Sequence, residues 1–560
     1  MLITDEQLNN LILKKGLIDE KKLEEISVFA QNANISLAEA LLEKDITSDE
    51  SLGLILSKFL KIPFVNLSKI TIPPELYHIV PEKVAKRQKV IAFEQDKKGI
   101  KLAMADPSNR QIQEMISKKT GKKIIPHLAT ERDIENTLGI YRKDVQKTFN
   151  LMISDDPEKL GTISEDTPVA KIADLLIEYA YQDKASDIHI EPDEKNCLIR
   201  FRIDGILHDV LILPKNLQER IVTRIKVLSR LRTDEHLTPQ DGKMRMKLEK
   251  ENLDIRVSII PVAEGEKVVL RLLSSRSRQF SLIDLGMGKE DLKKVTNAFN
   301  KSFGMILSTG PTGCGKTTSI YAILKILNTR EKNITTIEDP VEYRIGGVNQ
   351  IQVNPKANLN FVNGLRSILR QDPNIIFVGE IRDNDTAAIA INAALTGHLV
   401  LTTLHTNDAS TAIPRFMDMK IEPFLLASTI NIIIAQRLVR KICEVCKKPL
   451  FLKIDSLNKN LPKEVLKRNF GSKKEIKTYQ GEGCKICHFT GYSGRIGIFE
   501  VIEVNKKIRK LISEKSDAAT ILNEAVNEGM STMLDDGLQK SLKGETTIEE
   551  VLRVTRAESI

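Results

Sequence analysis

Residues 304–327 read GMILSTG, PTGCGKT and TSIYAILKIL in succession. A strand-like apolar run, a glycine-punctuated turn and a helix-like apolar run thus follow one another without a break. The turn consists of Gly310, Pro311, Thr312, Gly313, Cys314, Gly315, Lys316 and Thr317, with Thr318 behind it, and has the GxxxxGK[ST] spacing of a phosphate-binding loop. Glycines let the main chain curl until several N–H groups aim at one point, and a helix opening at the lysine adds the positive end of its dipole. Lys316 then bridges β- and γ-phosphate oxygens, and the Thr317 hydroxyl is a ligand for Mg²⁺. ATP and Mg²⁺ are the ligands this stretch predicts.

Downstream, the apolar runs NITTIED (333–339), NIIFVGE (374–380) and HLVLTTLH (398–405) alternate with helical segments. Runs this continuously apolar predict a parallel sheet buried on both faces, with its chemistry at the C-terminal strand ends. A P-loop needs two acidic services there, one holding magnesium-bound water and one orienting the attacking water. Glu380 ends one apolar strand. Glu338, Asp339 and Glu342 cluster where Pro340 ends another. Residue pattern alone does not rank Glu342 above Glu338. His398 and His405 flank LVLTTL, and two readings stand for them: a γ-phosphate sensor or subunit contact, or structural histidines.

The chain has 560 residues, enough for three or four domains, with 41% hydrophobic and 28% charged residues, which excludes a largely disordered protein. The net charge of +9 is a mild bias over this length. No stretch approaches the ~20 apolar residues of a membrane span, and MLITDEQLNN lacks a signal pattern, so a cytoplasmic protein is expected, carried to a membrane only by a partner. Residues 1–142 read as an N-terminal docking or regulatory domain. Short helices open it, with capping-box spacing at Thr4/Gln7 and Thr47/Glu50 and a faint repeat of offset 29 relating Leu11–Ile26 to Ala40–Ile55. Strands are predicted at IPFVNL, VIAFEQ and GIKLAMA, with a helix near Arg110–Lys119. Residues 143–167 are polar and unpatterned, a linker.

A second α+β domain is predicted over 168–275. In CLIRFRIDG, Leu198, Arg200 and Arg202 alternate with Ile199, Phe201 and Ile203, giving one basic face, and Asp204-Gly205 suits a two-residue hairpin turn. The ATPase block is 281–560, with a cysteine subdomain at 440–495 and C-terminal helices at 500–560. Cys443-x-x-Cys446 and Cys484-x-x-Cys487 each aim two thiolates at one point, and together they fill a tetrahedral, structural Zn²⁺ shell with no open position. Lys441, Lys447, Lys448 and Lys485 suit its negative charge. Cys314 sits beside loop N–H groups and Lys316, which favour a thiolate, and two readings stand for it: a neutral filler, the commoner case, or a site of oxidative or alkylating inactivation.

GPTGCGKTT, TIEDPVEYR, IIFVGEIRD and TGHLVLTTLHTND, in this order, resemble the Walker A, Asp box, Walker B and His box of the secretion-superfamily ATPases. The likeness is specifically to the assembly (extension) ATPases of type IV pili and the type II secretion ATPase E family. SDIHIEP, RFRIDG, PQDGK and GYSGRIGIFEVIEV match as well. The resemblance covers Pro168–Ile560 closely and the first 140 residues more loosely. It implies an α/β fold: a RecA-like P-loop domain with a zinc-binding insertion, an α+β (PAS-like) domain before it, and an N-terminal helical/α+β domain. It also implies Glu342 as catalytic glutamate, Glu380 as the Walker B acid, and Glu338 and Asp339 as support. Arg256 and Arg271 would be the arginines that the second domain brings against the γ-phosphate; a solvated strand face is the alternative.

The implied protein is a hexameric motor, peripheral at the inner membrane, acting on a platform protein to add pilins or pseudopilins. Its N-terminal domain would dock that machinery. Some relatives bind cyclic di-GMP through an Arg-Leu-Gly-like repeat start; Ser36-Leu37-Ala38 lacks the Arg and the Gly, so no such binding is expected. A nucleic-acid motor would want aromatic stacking platforms and a basic groove; Trp is absent, aromatics are 4% and bases are interspersed with acids, so no direct nucleic-acid binding is expected. A non-catalytic ATP-binding adaptor fits poorly with intact Lys316, Thr317, Glu342 and Glu380.

Overall fold

The computed structural model describes residues 5–138, 167–274 and 281–555, apart from breaks at 16–17, 34–35, 44–45, 48, 68–69, 71, 77, 249–251, 458–460 and 485–486. The linker assigned to 143–167 lies outside them except for its last residue, as do Thr4 of the first capping box and Lys485. Two compact units emerge. One comprises Met1–Ile79, Gln88–Ile134 and Gln279–Ile560, the other Val80–Arg87 and Glu135–Arg278. Among the described residues no helix is long and apolar enough to cross a membrane.

The offset-29 repeat is a pair of helix pairs, Asp5–Lys14 with Glu20–Ala33, then Leu37–Glu43 with Asp49–Leu60. Leu8, Ile12, Leu23, Ile26, Leu41 and Leu52 are buried between them. Ser36 caps a helix. Glu39 Oε2 accepts from the Ser36 N–H at 2.9 Å and Ser36 Oγ accepts from the Glu39 N–H at 3.2 Å, a capping box for the third helix. IPFVNL forms no strand. Phe64 alone makes a parallel bridge, to Leu128 of β3 (Ile124–Leu128), the outer strand of a sheet ordered β1 (Val90–Asp96), β2 (Gly99–Met104), β3. Helix Arg110–Thr120 makes the parallel crossover from β2 to β3, with Asn109 capping its start and left-handed Gly121 its end.

The second unit is a fully antiparallel six-stranded sheet, ordered β6-β5-β4-β9-β8-β7. Its strands are β4 (Asp187–Pro192), β5 (Asn196–Ile203), β6 (Ile206–Pro214), β7 (Gln240–Lys247), β8 (Asn252–Val262) and β9 (Gly265–Leu273). The predicted hairpin turn is there, with φ of 51° at Asp204 and 89° at Gly205. Helices Thr167–Gln182 and Lys215–Leu228 share a core with Ile188, Ile199, Phe201, Val257 and Leu270. The period of two therefore leaves the alternating arginines on the other face.

In the ATPase block the strands are β10 (Gly304–Thr309), β11 (Ile334–Glu338), β12 (Asn349–Gln352), β13 (Ile375–Val378), β14 (Leu399–Leu404) and β15 (Ile430–Ile442), then β16 (Lys447–Lys453), β17 (Glu475–Gly481) and β18 (Tyr492–Glu503). The seven-stranded sheet runs β12-β11-β13-β14-β10-β15-β18, and β18 alone pairs antiparallel. All six residues of β10 and of β14 are buried, because helices cover both faces: apolar cores contributed by Phe416 and Ile391 on one side and by Tyr321 and Ile320 on the other.

Candidate functional site

Strand register gathers the site. Thr309 pairs with Leu404, Val378 with Thr402 and Ile337 with Val378, so β10, β14, β13 and β11 end together. Gly310, His405, Glu380 and Glu338 consequently lie along one edge. The turn after β10 bends at left-handed glycines, with φ of 145° at Gly310, 78° at Gly313 and 91° at Gly315. A Cβ at Gly310 would lie 2.5 Å from the Gln436 carbonyl and 2.6 Å from Cys314 Sγ, so only glycine fits. Helix Lys316–Leu327 starts at the lysine, with Thr317 and Thr318 half-buried in its first turn. Lys316 Nζ lies inside the curl, donating to the carbonyls of Gly310 at 2.7 Å and Pro311 at 3.1 Å. Burial lowers the Lys316 pKa, opposed by Cys314 and Glu380.

Glu380 follows β13 with its side chain only 12% exposed. Arg382 donates to one of its oxygens at 2.6 Å, and His405 Nε2 lies 3.1 Å from the other. The loop after β14 is fastened to the P-loop strand, since the Thr406 N–H donates to Thr309 Oγ1 at 3.1 Å. Thr403 Oγ1 likewise donates to the Gly379 carbonyl at 2.7 Å. Glu338 points elsewhere. Its buried carboxyl accepts from Tyr321 and from Thr336 Oγ1, and from Gln350 Nε2 at 3.2 Å. Burial raises its pKa, and these hydrogen bonds oppose the rise. Glu338 is thus taken up by the sheet interior, while Asp339 is exposed and Glu342 half-buried. His398 is not brought to this edge. It precedes β14, at the opposite strand end, where its Nδ1 lies 3.0 Å from the Ala393 carbonyl.

Arg256 in β8 and Arg271 in β9 are direct cross-strand partners on the solvent face of the second sheet. Arg271 Nε donates to Asp187 at 3.0 Å, and its side chain is 61% exposed.

The four cysteines converge. Their sulfurs all lie within 4.8 Å of one another, with Cys443–Cys484, Cys446–Cys487 and Cys484–Cys487 separations of 3.8, 3.9 and 3.7 Å. A tetrahedron with Zn–S bonds of ~2.3 Å has S–S edges of about 3.8 Å, so the residues fit the ion. The intervening chain returns through the β16–β17 ladder, whose open end pairs Lys447 with Gly481. The N–H groups of Cys484 and Gly491 donate to Cys487 Sγ at 3.1 and 3.3 Å, which stabilises a thiolate and lowers its pKa against the opposing effect of burial. Two of the lysines expected to offset the thiolates are otherwise engaged: Lys447 pairs with Glu444 at 3.2 Å and Lys448 with Glu482 at 2.7 Å.

Residues 162–553 match the family described as type II/IV secretion system protein. The chain belongs to that family. Residues 60–145 match a second family, the MshEN domain. Along its length the chain is 36% identical to the type IV pilus assembly ATPase PilB of Myxococcus xanthus, covering 98% of each protein. It is 45% identical to type II secretion system protein E of Pseudomonas aeruginosa over 72% of this chain and 78% of that one. The solved ATPase DotB of Legionella pneumophila shares the fold with a TM-score of 0.52 at 20% identity, covering 69% of this chain and 96% of that one. This secretion-family chain is an ATP-hydrolysing enzyme that uses ATP and Mg²⁺.

Two sequence-based readings are decided further in this secretion ATPase, the first in favour of Cys314 as a neutral filler. Cys314 is buried, and burial pushes its thiol pKa up despite Lys316 and the neighbouring N–H groups, so it is a poor thiolate. The MshEN match begins at residue 60, beyond Ser36-Leu37-Ala38, so the missing Arg and Gly there carry no argument about cyclic di-GMP. Sequence reading also passed over Gln436. Its buried amide donates to the Cys314 carbonyl at 2.7 Å and accepts from Ser319 Oγ at 2.7 Å, bracing the P-loop from β15. A polar residue inside the apolar run INIIIAQRLV was the available signal.

Proposed function

We propose that this chain is the extension motor of a type IV pilus: a hexameric ring, peripheral at the inner membrane, that hydrolyses ATP to drive a platform protein and add pilins at the base. The observation that carries this reading is the match to a pilus assembly ATPase over 98% of both chains, joined to an edge where strands ending in register bring the P-loop beside Glu380 and His405. In this reading the P-loop from Gly310 to Thr318 grips the triphosphate, and Thr317 and Glu380 would hold Mg²⁺. The ion supplies positive charge to the phosphate oxygens. Glu342 orients and deprotonates the attacking water, Asp339 supports it, and His405 fixes the Glu380 carboxylate. Glu338 acts indirectly, by holding the end of β11.

Arg256 and Arg271 neutralise the charge developing on the γ-phosphate, as arginine fingers do. Domain closure on ATP and release after hydrolysis would turn chemistry into a stroke. Cys443, Cys446, Cys484 and Cys487 would hold a structural Zn²⁺. The N-terminal domain would dock the assembly machinery. A type II secretion motor is the second reading, favoured by the 45% identity to protein E. ATPase assay of Glu342→Gln tests the motor: turnover is abolished while ATP binding persists, and undiminished turnover refutes the assignment. Deleting the gene in its host separates the two readings, since loss of surface pili with intact secretion supports the first and the converse supports the second.

A further inference from the structure

Beside Glu380, a cleft of about 400 Å³ is lined by Ile381, Arg382, Leu404, His405 and Arg415. Its basic groups outnumber the carboxylates available to them. Glu380 engages Arg382 and His405. Asp383, next in sequence to Arg382, is used as a helix cap, accepting from the Thr386 N–H and hydroxyl at 2.8 and 3.0 Å. Asp408 accepts from Ser410 Oγ and the Thr411 N–H, each at 2.8 Å. Arg415, on helix Ala412–Asp418, lines the cleft with no carboxylate within ion-pair distance among the described residues. Net positive charge in a water-open cavity beside the carboxylate edge calls for an anion.

We infer that this cleft is a subsite for a tetrahedral oxyanion, the inorganic phosphate product on its way out. The inference rests on the ATPase reading above. Hydrolysis leaves a doubly charged phosphate next to Glu380, which repels it, while guanidinium groups offer paired donors matched to its oxygens. Arg382 is 70% exposed, so its bond to Glu380 exchanges for phosphate at little cost. That exchange draws the product away from the γ position and frees a Glu380 oxygen for the next cycle.

The test needs no turnover. The line width of the ³¹P resonance of inorganic phosphate is followed on the full-length protein loaded with ADP and Mg²⁺, for wild type, Arg415→Gln and Arg415→Lys. Phosphate affinity falls about five- to tenfold in Arg415→Gln and is partly restored by lysine, while ADP affinity, which reports an intact P-loop, stays within about twofold. Equal phosphate affinity in wild type and Arg415→Gln, or no broadening in wild type, overturns the subsite. A glutamine variant that alters ring assembly without altering phosphate affinity also overturns it and makes Arg415 a subunit contact. Arg415-dependent phosphate binding by a protein that hydrolyses no ATP would leave the subsite standing and remove the motor reading.

Discussion

At the nucleotide-facing edge, Gly310, Glu380 and His405 meet because parallel strands end in register, and the bracing is finished by buried hydrogen bonds such as those of Gln436. At the tetracysteine centre, positions 443 and 484 meet because an antiparallel ladder brings the chain back, and sulfurs 3.7–3.9 Å apart face one another with no carbon framework between them. The first arrangement is preformed by the sheet, so it exists before any ligand. The second crowds four cysteine thiols, which a cation must hold together once they ionise. One block thus carries a site whose stability is independent of its ligand and a site whose stability comes from it.

The sharpest way to break that contrast is at Lys316. Lys316→Ala should cut ATP turnover at least about a hundredfold, since the charge acts where negative charge develops, while the thermal transition stays close to wild type. A large loss of stability would show that the edge is not preformed. Next in size is zinc removal. Chelation, or Cys443→Ser, should open the segment from Cys443 to Cys487 to protease and to rapid amide exchange while ATP binding at the P-loop survives. Simultaneous loss of nucleotide binding would mean the two sites are one cooperative unit.

Gln436→Leu should fall in between. It leaves Ser319 Oγ and the Cys314 carbonyl unpaired in a buried setting, at a cost of about 2 kcal/mol, and should weaken ATP binding roughly tenfold without reaching the loss seen at Lys316. The junction of the two regions offers a gentler test. Arg440, three residues before Cys443, is gripped by Glu550, which accepts from its N–H at 3.1 Å and from its guanidinium at 2.9–3.0 Å. Burial pushes the Glu550 pKa up, but Arg553 and Arg440 outweigh it and hold it at about 2. A folded pKa below the ordinary carboxylate value contributes stability that is present above pH ~4.5 and is lost as pH falls toward 2. Wild type should therefore lose about 3 kcal/mol across that window relative to Glu550→Gln, seen as converging denaturation midpoints.

Local signals carried most of what could be read beforehand. The P-loop, the apolar strands and the paired CxxC turns are short-range patterns, and their chemistry follows from residue types within a few positions. What escaped notice depends on long-range placement. Gln436 meets a carbonyl 122 positions away, and IPFVNL touches the sheet only where Phe64 bridges to Leu128 of β3, pairings that no local pattern encodes. Glu338 read as one of three equivalent acids; only its contacts with Tyr321 and Gln350 show it turned into the core.

The two histidines give the smallest effect and the finest test of sheet polarity. They flank the same strand and look equivalent in sequence. A six-residue strand at ~3.3 Å per residue separates its ends by roughly 20 Å, so only one of them can lie at the catalytic edge. His405 is the one in contact with Glu380. His398 lies where the Gly304 N–H donates to its own carbonyl at 3.1 Å, at the start of both β10 and β14. His405→Ala should lower kcat about tenfold by releasing Glu380 from its partner. His398→Ala should leave kcat within about twofold and show only a small stability loss, because its ring contacts belong to the helix end before β14. Equal losses in kcat would mean that β14 runs the other way relative to the P-loop, and the register that assembles the whole edge would be wrong.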